Sequence, residues 1–126
     1  MSIKHDPLSF KVYQELAALT SVKHANKITK LVNGLMGLIG ETGEVSEIWK
    51  KYLFHKGGKV EVHQYLAMTE FTKEELGDLL WYIVQIADAI DADLEEIAQN
   101  NLDKLARRHI DGFKGSSIVI GAPDEQ

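Results

Sequence analysis

The stretch LIGETGEVSEIWKK, Leu38 to Lys51, places glutamates at 41, 44 and 47 with Gly43 among them. Apolar residues surround the acidic ones at helical spacing, so the segment reads as a helix. Like charges three apart on a helix repel by a few tenths of a kcal/mol. A glycine inside a helix costs roughly 1 kcal/mol relative to alanine. A helix that carries both burdens in one turn points to a use for them beyond folding.

Extended in both directions, this helix covers about Ile28 to Phe54, with Leu31, Leu35, Leu38, Val45, Ile48 and Leu53 on a broad apolar face. Gly57-Gly58 in HKGGKV stops it. Three more helices follow from the same periodicity. The first runs from about Leu8 to Leu19, with Pro7 suited to its first turn. TSVKHANKITK, residues 20–30, is a polar connection into the second helix. The third runs from about Thr72 to Ile90 and is apolar around much of its circumference, which predicts that it is the most buried. The fourth runs from about Leu94 to His109, with Asp93 as N-cap and Glu96 three residues on. Residues 60–69 fit either an extra helical turn or a long loop. SIVI, residues 117–120, fits a short strand without an obvious partner, and residues 114–126 read as a flexible, irregular tail. There is no repeat, low-complexity tract or linker. The expectation is one all-α, four-helix bundle-like domain over residues 1–126.

The bulk numbers exclude several classes. A chain of 126 residues with 44% hydrophobic and 26% charged residues has the composition of one soluble globular domain. Lys+Arg 14 against Asp+Glu 19, a net charge of −5, argues against nucleic-acid binding, which needs a basic footprint. The absence of cysteine removes disulfides and thiolate metal sites. MSIKHDPLSF lacks the apolar core of a signal peptide, and no apolar run approaches membrane-spanning length. A cytoplasmic protein without membrane contact is the expectation.

The chemistry lies in the acidic residues. Glu41 and Glu44 are i and i+3, on one side of the second helix. Glu75 and Asp78, in KEELGDLLWY, repeat the spacing on the third. Facing each other across two apolar helices, these pairs bring four carboxylates to one spot. Such crowding raises carboxyl pKa values or demands a counter-ion. Hard oxygen donors suit Mg²⁺, with Mn²⁺ able to substitute. Competing readings remain open. Thr72 and Glu75 also fit a capping box, in which Glu75 only bonds back to the helix start. Glu47 is either a fifth ligand or a partner of Lys50 or Lys51. No histidine has a glutamate three residues before it, as a di-iron bundle requires, and no phosphate-binding glycine loop or nucleophile motif is present. In NNLDKLARRH, Asn101, Lys104 and Arg108 share a face. They either complement the helix C-terminus or clamp phosphoryl oxygens.

GLIGETGEVSEIWKK, EELGDLLWYI and DLEEIAQNNLDKLARRHIDGF, in this order, resemble the MazG-like nucleotide pyrophosphohydrolases of the all-α NTP pyrophosphatase superfamily. The similarity covers about residues 35–113. It implies Mg²⁺-dependent hydrolysis of nucleoside or deoxynucleoside triphosphates to monophosphate and pyrophosphate. It implies Glu41, Glu44, Glu75 and Asp78 as metal ligands, Glu41 or Glu44 as the group that activates water, and Lys51, Asn101, Lys104 and Arg108 as nucleotide contacts. It also implies a homo-dimer or homo-tetramer. The segment KGGKVEVHQYLAMTEFTK, residues 56–73, is longer than in compact members and bears on nucleotide preference. Alternatives on the same scaffold are a specialised substrate, dUTP or phosphoribosyl-ATP, and a non-catalytic helical oligomer that only binds nucleotide.

Overall fold

The computed structural model describes residues 7–55, 57, 59 and 61–108. They form helix α1 (Phe10–Ala18), α2 (Lys27–Lys50), a π-helical turn (Lys51–His55), α3 (Val62–Ala89) and α4 (Leu94–Arg108). Among the described residues there is no strand and no helix long and apolar enough to cross a membrane.

Three of the four helices, α1, α2 and α4, start where a short polar side chain accepts from free backbone amides, whereas Glu61 before α3 makes no such bond. The Ser9 hydroxyl accepts from Val12 N at 3.1 Å, and Asn26 Oδ1 accepts from Thr29 N at 2.8 Å. Asp93 Oδ1 accepts from Glu95 N at 2.8 Å and Glu96 N at 3.1 Å, the cap expected for α4. Pro7 lies before the Ser9 cap, so it is outside α1 and not in its first turn. The α2 helix continues through the π turn and stops before Gly57, which adopts φ 66°.

The third helix begins at Val62, well before Thr72. Thr72 therefore caps nothing: its hydroxyl donates to Met68 O at 2.7 Å and accepts from Trp49 Nε1 at 2.9 Å. The capping-box reading of Glu75 falls with it. Trp49 also meets Tyr65 edge to face, with ring centroids 6.0 Å apart and planes at 76°. Residues 62–71 are held helical by packing on the end of α2, which their own spacing does not announce.

α2 lies along α3, and α1 packs on α3 and α4. Gly34 and Gly37 make the close α2–α3 approach possible: a Cβ on Gly34 would stand 2.8 Å from Ile86 Cγ1, and one on Gly37 would fall inside the Tyr82 ring. Ala17, Val84 and Leu94 form the core of the α1–α3–α4 corner, with Tyr13, Trp81 and Ile83 against it. Gln14 ties that corner together. Its Nε2 donates to Asp88 Oδ1 (2.7 Å) and Ala92 O (3.0 Å), and its Oε1 accepts from Leu94 N (2.8 Å).

The third helix does hold most of the buried residues. Yet the four helices are unequal. At 24 and 28 residues, α2 and α3 run about 36 and 42 Å, whereas α1 and α4, at 9 and 15, run about 14 and 23 Å. The short pair cannot cover the long hairpin. Ile28, Val32, Met36 and Ile39 on α2, and Leu53, Phe54 and Leu66 near the hairpin tip, stay exposed. The end of the fourth predicted helix at His109, SIVI and the rest of the tail lie outside the described residues.

Candidate functional site

Glu41 from α2 and Glu75 and Asp78 from α3 each bring a carboxylate oxygen within 4.8 Å of the other two. The i and i+3 spacing on α3 sets the second pair, and the glycine-mediated packing of α2 against α3 sets the approach of the first. Glu75 is the floor of the group, only 8% exposed, and its Oε2 has no hydrogen-bond partner. Glu41 is half-buried and Asp78 exposed, so the cluster opens to the surface.

The electrostatics follow from that placement. The Glu75 carboxyl is pushed up from 4.5 to about 7, first by a hydrogen bond shared with Glu41, then by burial and by the charges of Glu41, Glu44 and Asp78. Two close carboxylates that cannot both ionise cheaply hold a proton between them. A divalent cation relieves the same repulsion. The donor set is all hard oxygen, and a buried carboxylate oxygen stands unpartnered among the three groups. These residues fit Mg²⁺ or Mn²⁺.

Glu44 stands apart from the mutually close triad and is exposed, although its charge reaches Glu75. Glu47 pairs with Lys51 at 3.2 Å and Lys50 at 3.9 Å, which lowers its carboxyl pKa, chiefly through the Lys51 hydrogen bond. Lys51, expected at the nucleotide, thus faces an acidic neighbour on its own helical surface. Outside its chain neighbours and its own helix backbone, Gly43, and likewise Gly77, has no atom within 4 Å of where a Cβ would sit. Packing within the chain does not require either glycine, and the backbone beside the carboxylates lies uncovered.

On α4, Asn101 and Lys104 line an open cleft of about 630 Å³ with Phe10, Leu80, Ile83 and Arg107. Arg108 is exposed and is not among the lining residues. Arg107 lines it instead, one turn beyond Lys104, where the spacing in the sequence pointed to Arg108. Tyr13, legible in the sequence only as an apolar-face residue of the first helix, was not among the expected site residues. Its ring packs against the Ala17–Val84–Leu94 core, and its phenol pKa is raised by burial and by the Asp78 charge.

A family model described as MazG nucleotide pyrophosphohydrolase domain matches residues 33–113. Over 52 residues the chain is 36% identical to the Gene 37 protein of Mycobacterium phage L5, a stretch that covers 41% of this chain and 41% of that relative. The match therefore spans well under half the length of the curated relative. No solved structure gives a significant match.

Proposed function

The chain belongs to the MazG nucleotide pyrophosphohydrolase domain family, and on that premise we propose that it hydrolyses nucleoside or deoxynucleoside triphosphates to monophosphate and pyrophosphate with Mg²⁺. The observation that carries this reading is the meeting of Glu41, Glu75 and Asp78 around the unpartnered, buried Glu75 oxygen. Glu41, Glu75 and Asp78 would hold the cation, with Glu44 completing the set from the exposed side of α2. When bound, the cation supplies charge neutralisation at the phosphates and lowers the pKa of water.

The remaining chemistry falls to the chain's own groups. The water oxygen bonds to the α-phosphorus, the bond from that phosphorus to the bridging oxygen breaks, and pyrophosphate leaves with the electron pair. Glu41 or Glu44 orients the water and takes its proton. Asn101 and Lys104, together with Arg107 from the cleft wall or Arg108 as the resemblance implies, and Lys51 on the α2 side, would contact the phosphates, where cationic donors offset developing charge. A homo-dimer or homo-tetramer accounts for the bare apolar faces of the α2–α3 hairpin, because uncovered patches of that kind mark interfaces.

A product assay over the common NTPs and dNTPs tests the reading. Monophosphate plus pyrophosphate, dependent on Mg²⁺ and abolished by EDTA, is expected. Diphosphate plus phosphate, or no turnover of any nucleotide, would overturn it.

A further inference from the structure

In GETGEVSEIWKK, residues 40–51, Glu41, Glu44 and Lys51 carry roles in the proposed chemistry and Trp49 carries none. Trp49 has a partner on the other long helix: its indole Nε1 donates to Thr72 Oγ1 at 2.9 Å. The polarity of that bond is fixed on both sides. An indole N–H only donates. The Thr72 hydroxyl gives its proton to Met68 O at 2.7 Å, so its oxygen can only accept from Trp49. Tyr65, two turns before Thr72 on α3, meets the same indole edge to face with centroids 6.0 Å apart. The α3 helix thus holds Trp49 at two points.

This contact continues the seam that carries the carboxylates. Thr72, Glu75 and Asp78 follow at intervals of three on α3, and Glu41, Val45 and Trp49 at intervals of four on α2, so on each helix they share one face. On the other side of the carboxylates Gly37 lies against the Tyr82 ring, four residues before Glu41 on α2 and four after Asp78 on α3. The acidic group is therefore bracketed. A close glycine-to-ring contact sets the α2–α3 spacing on one side, and a directed hydrogen bond sets it on the other. From the carboxylates to the hairpin tip, that bond is the only one among the described residues that joins a side chain of α2 to a side chain of α3.

Crowded carboxylates repel and push two helices apart. Mg²⁺ demands near-octahedral oxygen ligands at about 2.0–2.1 Å, so ligands already set at the right spacing bind it more tightly than ligands it must draw together. Resting on the reading of Glu41, Glu75 and Asp78 as cation ligands, we infer that Trp49 and Thr72 are positioning residues of that site: their hydrogen bond holds α2 and α3 at the spacing the cation needs.

The test compares the full chain carrying Thr72→Val, which keeps the shape but loses the acceptor, with Thr72→Ser, which keeps the acceptor. Trp49→Phe removes the donor from the other side. Val84→Ala, in the α1–α3–α4 corner, is a destabilised control away from the bond. The first readout is the bond itself. The Trp49 indole N–H resonance, assigned by its loss in Trp49→Phe, is protected from solvent exchange in wild type and Thr72→Ser and unprotected in Thr72→Val. The second is Mg²⁺ affinity by calorimetry without nucleotide, with thermal melts alongside. Thr72→Val and Trp49→Phe weaken it about tenfold, the lower end of what removing support behind metal ligands does, and Thr72→Ser stays within about twofold of wild type. Val84→Ala lowers the melting temperature and leaves the affinity unchanged. An unprotected wild-type indole, or unchanged affinity in both Thr72→Val and Trp49→Phe, overturns the inference and leaves the metal site standing. Affinity that falls in step with melting temperature in Val84→Ala as well gives the pair a structural role only and also overturns it. If wild type binds Mg²⁺ but hydrolyses no nucleotide, the activity reading fails and the affinity series still decides the positioning role. If wild type binds neither Mg²⁺ nor Mn²⁺, the cation reading fails and the inference falls with it.

Discussion

Glu41 on α2 and Glu75 on α3 present carboxylate oxygens within 4.8 Å of each other, with Glu75 on the buried side. Without a cation, crowding and burial push the Glu75 carboxyl up to about 7; under the proposed function the same pair would serve as cation ligands. One geometric fact thus links the stability of the metal-free protein to the affinity of the site.

The first consequence is a pH dependence. In metal-free protein the folded state keeps the Glu75 proton up to about 7, while the ordinary carboxyl value is 4.5. Between these values the folded state binds more protons than the unfolded chain, so stability falls as pH rises. The contribution is complete below 4.5 and gone above about 7. Urea denaturation in EDTA across this window measures the slope. Glu75→Gln flattens it, and saturating Mg²⁺ offsets it because the ionised form binds the cation. A metal-free wild type whose stability rises steadily through the window would contradict the shared proton.

Charge-removing substitutions separate the carboxylates. Asp78→Asn and Glu44→Gln each lower kcat/KM by at least about 10²-fold if they stabilise developing charge, by analogy with other electrostatic deletions. Metal-free stability holds or rises, because four crowded carboxylates become three. Mn²⁺ titration calorimetry distinguishes their roles: Asp78→Asn weakens the metal, while Glu44→Gln with unchanged affinity and low kcat would assign Glu44 to the water. Near-wild-type turnover of both variants at saturating Mg²⁺ would remove the four-carboxylate site.

The glycines of α2 give opposite outcomes. Gly37→Ala drives a methyl into Tyr82, and such overpacking costs about 1–3 kcal/mol. Gly43→Ala enters open space and gains up to about 1 kcal/mol of helix propensity. If Gly43 serves the site, kcat/KM drops in the more stable variant. Thermal melts beside kinetics show this, and an active, stabilised Gly43→Ala would mean that the glycine has no role at the carboxylates.

Much of this was legible in the sequence, because helix spacing and capping are local. Asp93 capped α4 as read, and Gly57 ended the α2 run. The start of α3 was hidden because residues 62–71 are held by Trp49 of another helix, and Thr72-Lys73-Glu74-Glu75 imitates a cap inside a helix. The Glu41, Glu75 and Asp78 grouping followed from two i, i+3 pairs on apolar helices. The packing of Tyr13 against the Val84 core did not, since it depends on how α1 docks, and no local pattern encodes that.

Assembly is the fourth prediction. Ile28, Val32, Met36 and Ile39 recur along one side of α2 and stay 47–73% exposed in the single chain. Sedimentation at micromolar concentration is expected to give a dimer or tetramer, because obligate interfaces resemble a core cut in half. Val32→Glu with Met36→Glu shifts it toward the monomer. A wild-type species of 14.1 kDa would contradict the proposal.

The last concerns α4. Asn101 and Lys104 face a cleft that Arg107 shares, whereas Arg108 does not line it. A metal neutralises only part of a triphosphate, so cationic side chains should take the remainder. If Lys104 only complements the helix C-terminus, Lys104→Ala costs at most about 1 kcal/mol of stability and leaves kinetics alone. If it holds the leaving pyrophosphate, Lys104→Ala lowers kcat/KM by roughly one to three decades with little loss of stability. Inhibition by pyrophosphate weakens in parallel, because the same contact serves product and transition state. The second outcome is expected. Comparing Arg107→Ala with Arg108→Ala then identifies the arginine that acts with Lys104: the cleft geometry favours Arg107, and the family resemblance favours Arg108. Unchanged kcat/KM in all three variants, with melts shifted by no more than the helix-end effect, would leave this basic turn with a structural role alone.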